Sequence, residues 1–118
     1  MQYLLLIYES EAEAQAMAPA AYGEMMAGYG VFTRDLVASG KFKAGDALQP
    51  TSTATTVRLR DGKTLATDGP FAETREQLGG YYLVEATDLD DAIAIAARIP
   101  AAANGCVEVR PVMVFNQA

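Results

Sequence analysis

The sequence contains no histidine, no tryptophan and a single cysteine, Cys106, among 118 residues. Without histidine there is no base for a Ser-His or Cys-His nucleophile, and no spacing marks a Ser-Lys substitute. One cysteine builds no disulfide framework, and a reactive thiolate would need a histidine or clustered cations beside it. Cys106 is therefore expected as a small buried hydrophobe, and the chain as a protein of a reducing, cytoplasmic compartment. Metal binding has equally little to draw on, because the acidic residues lack the alternating spacing of a calcium loop. No cofactor is expected.

Positive charge is scarce as well. Nine Lys and Arg stand against fifteen Asp and Glu, giving a net charge of -6, and the basic residues are scattered from Arg34 to Arg110. With no basic stripe, direct binding to nucleic acid or to an anionic membrane has no electrostatic support. No apolar run approaches the roughly 18 residues of a membrane helix, and the chain opens on strand-like QYLLLIY instead of a basic leader. A chain of this length makes one domain, residues 1–118, with enough core to fold without a staple.

What is present reads as alternating strands and helices. Tyr3 to Tyr8 is a strand apolar on both parities. The acidic, Ala-rich connection after it leaves room for a helical turn. From Pro19 to Ser39, Tyr22, Met25, Tyr29, Phe32 and Leu36 form one helical stripe, ended by Gly40. Glycines at 23, 28 and 30 weaken that helix, or mark the approach of another backbone. KFKAGDAL is a short extended segment, and TTVRLRDGKTLAT is a hairpin around Asp61-Gly62 with one wet face. GGYYLVEA is a further strand. A second helix is capped by Thr87 or Asp88, carries the stripe Leu89, Ala92, Ile93, Ala96 and Ile99, and stops at Pro100. CVEVRPVMVF is the last strand, placed at a sheet edge by Pro111.

This order predicts an α+β fold: a ferredoxin-like β-α-β-β-α-β sandwich with an inserted β-hairpin. Two helices cover one sheet face. Yet the first strand is apolar on both parities, Tyr3, Leu5 and Ile7 against Leu4, Leu6 and Tyr8, and so is the last, Val109, Met113 and Phe115 against Val112 and Val114, so the second face would be left apolar and bare. A homodimer joined through its sheet faces is the expected remedy.

The segment TDGPFAETREQLGGYY, residues 67–82, is longer than a strand connection needs. Together with the following LVEA, DLDDAIAIAARIP and VEVRPV, it resembles the DGPF-domain branch of the YCII-related family, in a match running over most of the chain. The resemblance implies a dimeric ferredoxin-like α/β barrel. For activity it implies lyase-type chemistry on small aromatic compounds in some relatives, and an association with alternative sigma factors in others. The better-known branch is discussed in terms of a His-Asp pair in its cleft, and a chain without histidine cannot form it.

The leading functional expectation is a small organic molecule, anionic if arginines face it, held in a cleft near the DGPF loop with lyase- or isomerase-like chemistry. Asp68 is the catalytic candidate, since a rigid, partly buried carboxylate can act as a general base. Its structural alternative is an Asx-type turn in which the carboxylate caps backbone N–H groups. Phe71 is read as a core or dimer anchor, or as a stacking wall. Arg75 and Arg110 are candidates for holding an anion through their forked donors, with a Glu108–Arg110 ion pair as the plainer role for Arg110. Tyr81 and Tyr82 point to opposite faces, so one phenol at most is expected in any cavity. Gly79 and Gly80 suit a bulge or a close backbone approach, and Met25 and Met26 are read as core. The alternative class is a non-enzymatic regulatory or interaction module, associated with a sigma factor through protein contacts.

Overall fold

A computed structural model describes residues 1–115. Its elements run β1 (Gln2–Glu9), α1 (Glu11–Gln15), α2 (Pro19–Ala38), β2 (Phe42–Ala47), β3 (Thr55–Arg60), β4 (Lys63–Asp68), β5 (Gln77–Glu85), α3 (Leu89–Ala97) and β6 (Cys106–Pro111), with a 3-10 turn at Pro100–Ala103. Four strands form one sheet in the order β2-β5-β1-β6, each pair antiparallel, while β3 and β4 form a separate ribbon. The architecture is α+β and compatible with a ferredoxin-like arrangement in which β3-β4 is the insertion. Pro111 pairs with Tyr3 at the end of the edge strand β6, where its missing N–H costs no inner strand a partner.

Local chemistry sets the element ends. Pro19 starts α2, and Gly40, at φ 76°, lets the chain leave it. The Gly40 and Lys41 N–H groups donate to the carbonyls of Val37 and Leu36, the paired bonds of a Schellman end. Asp88 caps α3 by accepting the Asp91 N–H at 2.8 Å. Asp61 and Gly62 both adopt positive φ, 50° and 73°, as a two-residue I′ turn requires.

The core lies between the helices and one sheet face. Tyr3, Leu5 and Ile7 of β1 and Val84 of β5 meet Phe32 and Leu36 of α2 and Ala92, Ile95 and Ala96 of α3. The buried face of α3 is therefore turned from the expected stripe: Ile95 points in, whereas Leu89 and Ile93 are half exposed. The small residues Ala92 and Ala96 let the short helix sit close to the sheet, which brings Ile95 and Ile99 inward. On the opposite sheet face Leu4, Leu6, Tyr8, Tyr81 and Leu83 are each only partly buried.

Two further expectations are corrected. The last strand stops at Pro111, and Met113, Val114 and Phe115 continue as exposed chain. The hairpin has no dry face within the chain, since Val57, Leu59 and Leu65 are all exposed. It projects instead. The radius of gyration is 16.5 Å, against about 13.5 Å for a compact domain of this length. Glu11 ties the projecting arm at both ends: it accepts the Thr51 N–H at 2.8 Å and the Thr51 hydroxyl at 2.9 Å, and its own N–H donates to Gln77 Oε1 at 2.9 Å. Among the described residues no helix is long and apolar enough to cross a membrane.

Candidate functional site

A cleft of about 410 Å³ opens between the N-terminal half of α2 and the end of the sheet formed by β2, β5 and β1. Helix α2 supplies Tyr22, Met25, Met26, Tyr29 and Thr33, residues at helical spacing along one face. The sheet supplies Ile7, Phe42 and Tyr82 as apolar lining. Two glycines on its floor allow β2 and β5 to pack closely. A Cβ on Gly45 would lie 2.8 Å from Tyr82 Cδ1, and one on Gly80 would lie 2.8 Å from the Asp46 carbonyl oxygen. The neighbouring Gly79 marks a break in register between β1 and β5, where Ile7 faces Gly80 but Tyr8 faces Leu78.

Tyr82 is held by three contacts. Its ring stands edge-on to Phe32 at 5.1 Å and to Phe42 at 6.3 Å between centroids, and its hydroxyl is hydrogen-bonded to Thr33 Oγ1 at 2.8 Å. Tyr81, on the adjacent position of β5, donates to Asp46 Oδ2 at 2.7 Å. Both tyrosines border the cleft, although alternation allows only one ring on each sheet face.

The chemistry concentrates at Glu9, which follows Tyr3, Leu5 and Ile7 on the inward parity of β1. Partial burial raises its carboxyl above the ordinary 4.5. Tyr29 is pushed up to about 12, first by burial and then by the negative charge of Glu9, which disfavours a second anion nearby. At neutral pH the cleft thus offers a carboxyl group of raised pKa beside a Tyr29 phenol that remains protonated. The lining residues include no Arg and no Lys. A smaller hollow of about 130 Å³, bordered by Glu13 and Asn104, shares Glu9 as a wall.

The residues singled out from the sequence are dispersed. Asp68 ends the exposed strand β4. The turn after it is closed by other groups: the Gly69 N–H donates to the Ala54 carbonyl at 2.7 Å, and the Thr56 hydroxyl donates to the Gly69 carbonyl at 2.8 Å. Phe71 is 81% exposed, so within one chain it anchors nothing. Arg75 is exposed in the same loop. Arg110 pairs with Glu108 on the outer sheet face, and that hydrogen bond raises its guanidinium pKa. Of the named candidates, only Tyr81 and Tyr82 border the cleft.

Cys106 is exposed, contrary to the expected burial, because it begins the edge strand β6. Partial desolvation and the carboxylate of Glu76, 3.7 Å away, raise its thiol pKa and keep it a poor nucleophile. Glu9, Tyr29, Thr33 and Asp46 were not identified as site residues from the sequence. One signal for Glu9 was there: an acid in register with the core-facing residues of a buried strand needs an explanation. Among the described residues, no three or more His, Cys, Asp or Glu side chains come together as a metal site.

Comparison with known proteins fits this architecture. The model of the YCII-related domain matches residues 1–116, and the chain belongs to that family. It is similar to an uncharacterized protein of Rhizobium meliloti (strain 1021), with 36% identity over 118 residues, covering 98% of this chain and 95% of the relative.

Proposed function

We propose that this YCII-related protein binds a small organic molecule in the cleft beneath α2, with Glu9 as the group that exchanges a hydrogen bond or a proton with it. One observation carries the reading. A cleft within the size range of small-molecule sites is lined mainly by apolar and aromatic residues, and Glu9 and the Thr33-anchored Tyr82 border it. Proton transfer at Glu9 is the step that would support lyase- or isomerase-like activity. The site proposed here lies beside Glu9, away from the DGPF loop.

The test is amide chemical-shift mapping with a library of small aromatic fragments. Shifts at Thr33, Gly79, Gly80 and Tyr82 are expected, and shifts confined to residues 68–75 would move the site to the arm. A Glu9→Gln variant should weaken fragment binding, whereas Asp68→Asn should leave it unchanged.

The functional unit in this reading is a homodimer. Leu4, Leu6 and Leu83 on the outer sheet face, together with Val57, Leu59 and Phe71 on the arm, give a second copy an apolar surface to cover. Light scattering at low micromolar concentration checks this, and a clean mass of 12.5 kDa would refute it. The exposed arm also favours a second reading, an interaction module that docks a protein such as an alternative sigma factor. Titration of a purified sigma factor, followed by shifts on residues 55–75, separates that reading from the cleft.

A further inference from the structure

We infer that the cleft selects a protonated organic amine with an apolar, aromatic-sized body, and discriminates against carboxylates and phosphates. This rests on the cleft being the ligand site. Of the chain's nine basic residues none borders the cleft, while Glu9 and Asp46 do, and Glu13 borders the hollow on the other side of Glu9. An anion entering here would meet the Glu9 carboxylate without a compensating cation, in surroundings drier than bulk water. The net charge of -6 adds an unfavourable long-range field for anions and a favourable one for cations.

A neutral apolar molecule fits the lining but would strip water from Glu9 and offer it nothing. Glu9 takes part in none of the ion pairs among the described residues. An ammonium group has three N–H donors and satisfies that carboxylate directly. The other lining residues suit the same ligand. Tyr22, Tyr29, Tyr82 and Phe42 present π systems that attract a cation. Met25 and Met26 add polarizable, adaptable surface for its hydrocarbon part.

The experiment is calorimetric titration of the full chain at neutral pH with three probes of matched shape: 2-phenylethylammonium, 2-phenylethanol and 3-phenylpropionate. The ammonium should bind about tenfold or more tighter than the alcohol, the value of a charge-assisted hydrogen bond, and the carboxylate should bind weakest. Glu9→Gln, checked for native circular dichroism, should bring the ammonium to within about threefold of the alcohol. A carboxylate that binds as tightly as the ammonium, or an ammonium preference that survives Glu9→Gln, overturns the inference and leaves the cleft itself standing. No detectable binding of any probe at about 10 mM would remove the cleft as a ligand site and the inference with it. The wild-type comparison stands alone if the variant misfolds.

Discussion

Gly80→Ala is the substitution for which the fold makes the sharpest demand. Gly80 is buried in β5, and a Cβ there would lie 2.8 Å from the Asp46 carbonyl oxygen and 3.3 Å from Ala47 Cα. The first contact is well inside the 3.4 Å at which ordinary packing begins, and both neighbours are backbone atoms that cannot rotate away. Among the described residues, strand β2 has β5 as its only partner in the sheet. It can yield by moving outward, at the expense of the Ala47–Gly80 pairing and of the 2.9 Å bond from the Leu48 N–H to the Gly79 carbonyl.

Overpacking of this kind costs about 1–3 kcal/mol, and stiffening the unfolded chain returns about 0.4–1 kcal/mol. A net loss of about 1–2 kcal/mol is expected, seen as a urea midpoint lower by about 1 M at fixed protein concentration. The same chemical change at Gly30 in α2 is the control. Nothing lies within 4 Å of its added Cβ, so relief of the glycine's helix penalty should stabilise by up to about 1 kcal/mol. Opposite signs for the two variants support the packing argument, and a Gly80→Ala midpoint equal to wild type refutes it.

Removing the Glu11 carboxylate, as Glu11→Ala, should free the arm at Thr51, so that limited proteolysis cuts within residues 48–76 faster while the sheet amides keep their exchange protection. The Asp91 carboxyl is lowered from its ordinary 3.8 first by the Thr87 N–H and then by the Lys41 ammonium at 2.9 Å. A depressed folded value means stability that is present above 3.8 and lost as pH falls through the lowered value, so wild type should exceed Asp91→Asn at neutral pH and converge with it in acid. Glu9 has the opposite sign. Its raised folded value means that protonation stabilises below 4.5 and that this gain is lost as pH rises, so Glu9→Gln should melt higher than wild type at neutral pH and match it below 4.5.

The parts of the fold that the sequence made legible are those with a local cause. The Asp61-Gly62 turn, the Gly40 helix end, the Asp88 cap and the edge position of Pro111 each follow from one residue's backbone chemistry. The parts that it hid depend on neighbours. Which face of α3 is buried, with Ala92, Ile95 and Ala96 inward and Leu89 and Ile93 half exposed, depends on how the helix packs on its neighbours, something the residue period alone does not encode. The DGPF segment was conspicuous because its turn is sequence-encoded, yet a rigid turn fixes only its own shape. Where it points depends on the stalk that Glu11 holds, and within the chain that stalk carries Asp68, Phe71 and Arg75 away from the core.

The helix α2 shows why the cleft in particular was illegible. Tyr22, Met25, Tyr29, Phe32 and Leu36 form one uninterrupted stripe in the sequence and were read as a single packing face, but only Phe32 and Leu36 are buried. Near the middle of the helix, a Cβ on Gly28 would meet Pro100 Cγ at 3.3 Å, so there α2 lies tight against the 3-10 turn. Toward its N-terminus the same stripe faces Gly45, Gly79 and Gly80, which have no side chains to fill the space beneath it. A core stripe opposite glycines becomes the wall of a cleft. The glycines of the sheet and the apolar stripe of the helix are far apart in sequence and unremarkable alone, and pairing them requires the β2-β5-β1 register. Glu9 completes the arrangement, because the period that buries Tyr3, Leu5 and Ile7 carries the next inward side chain into the opening.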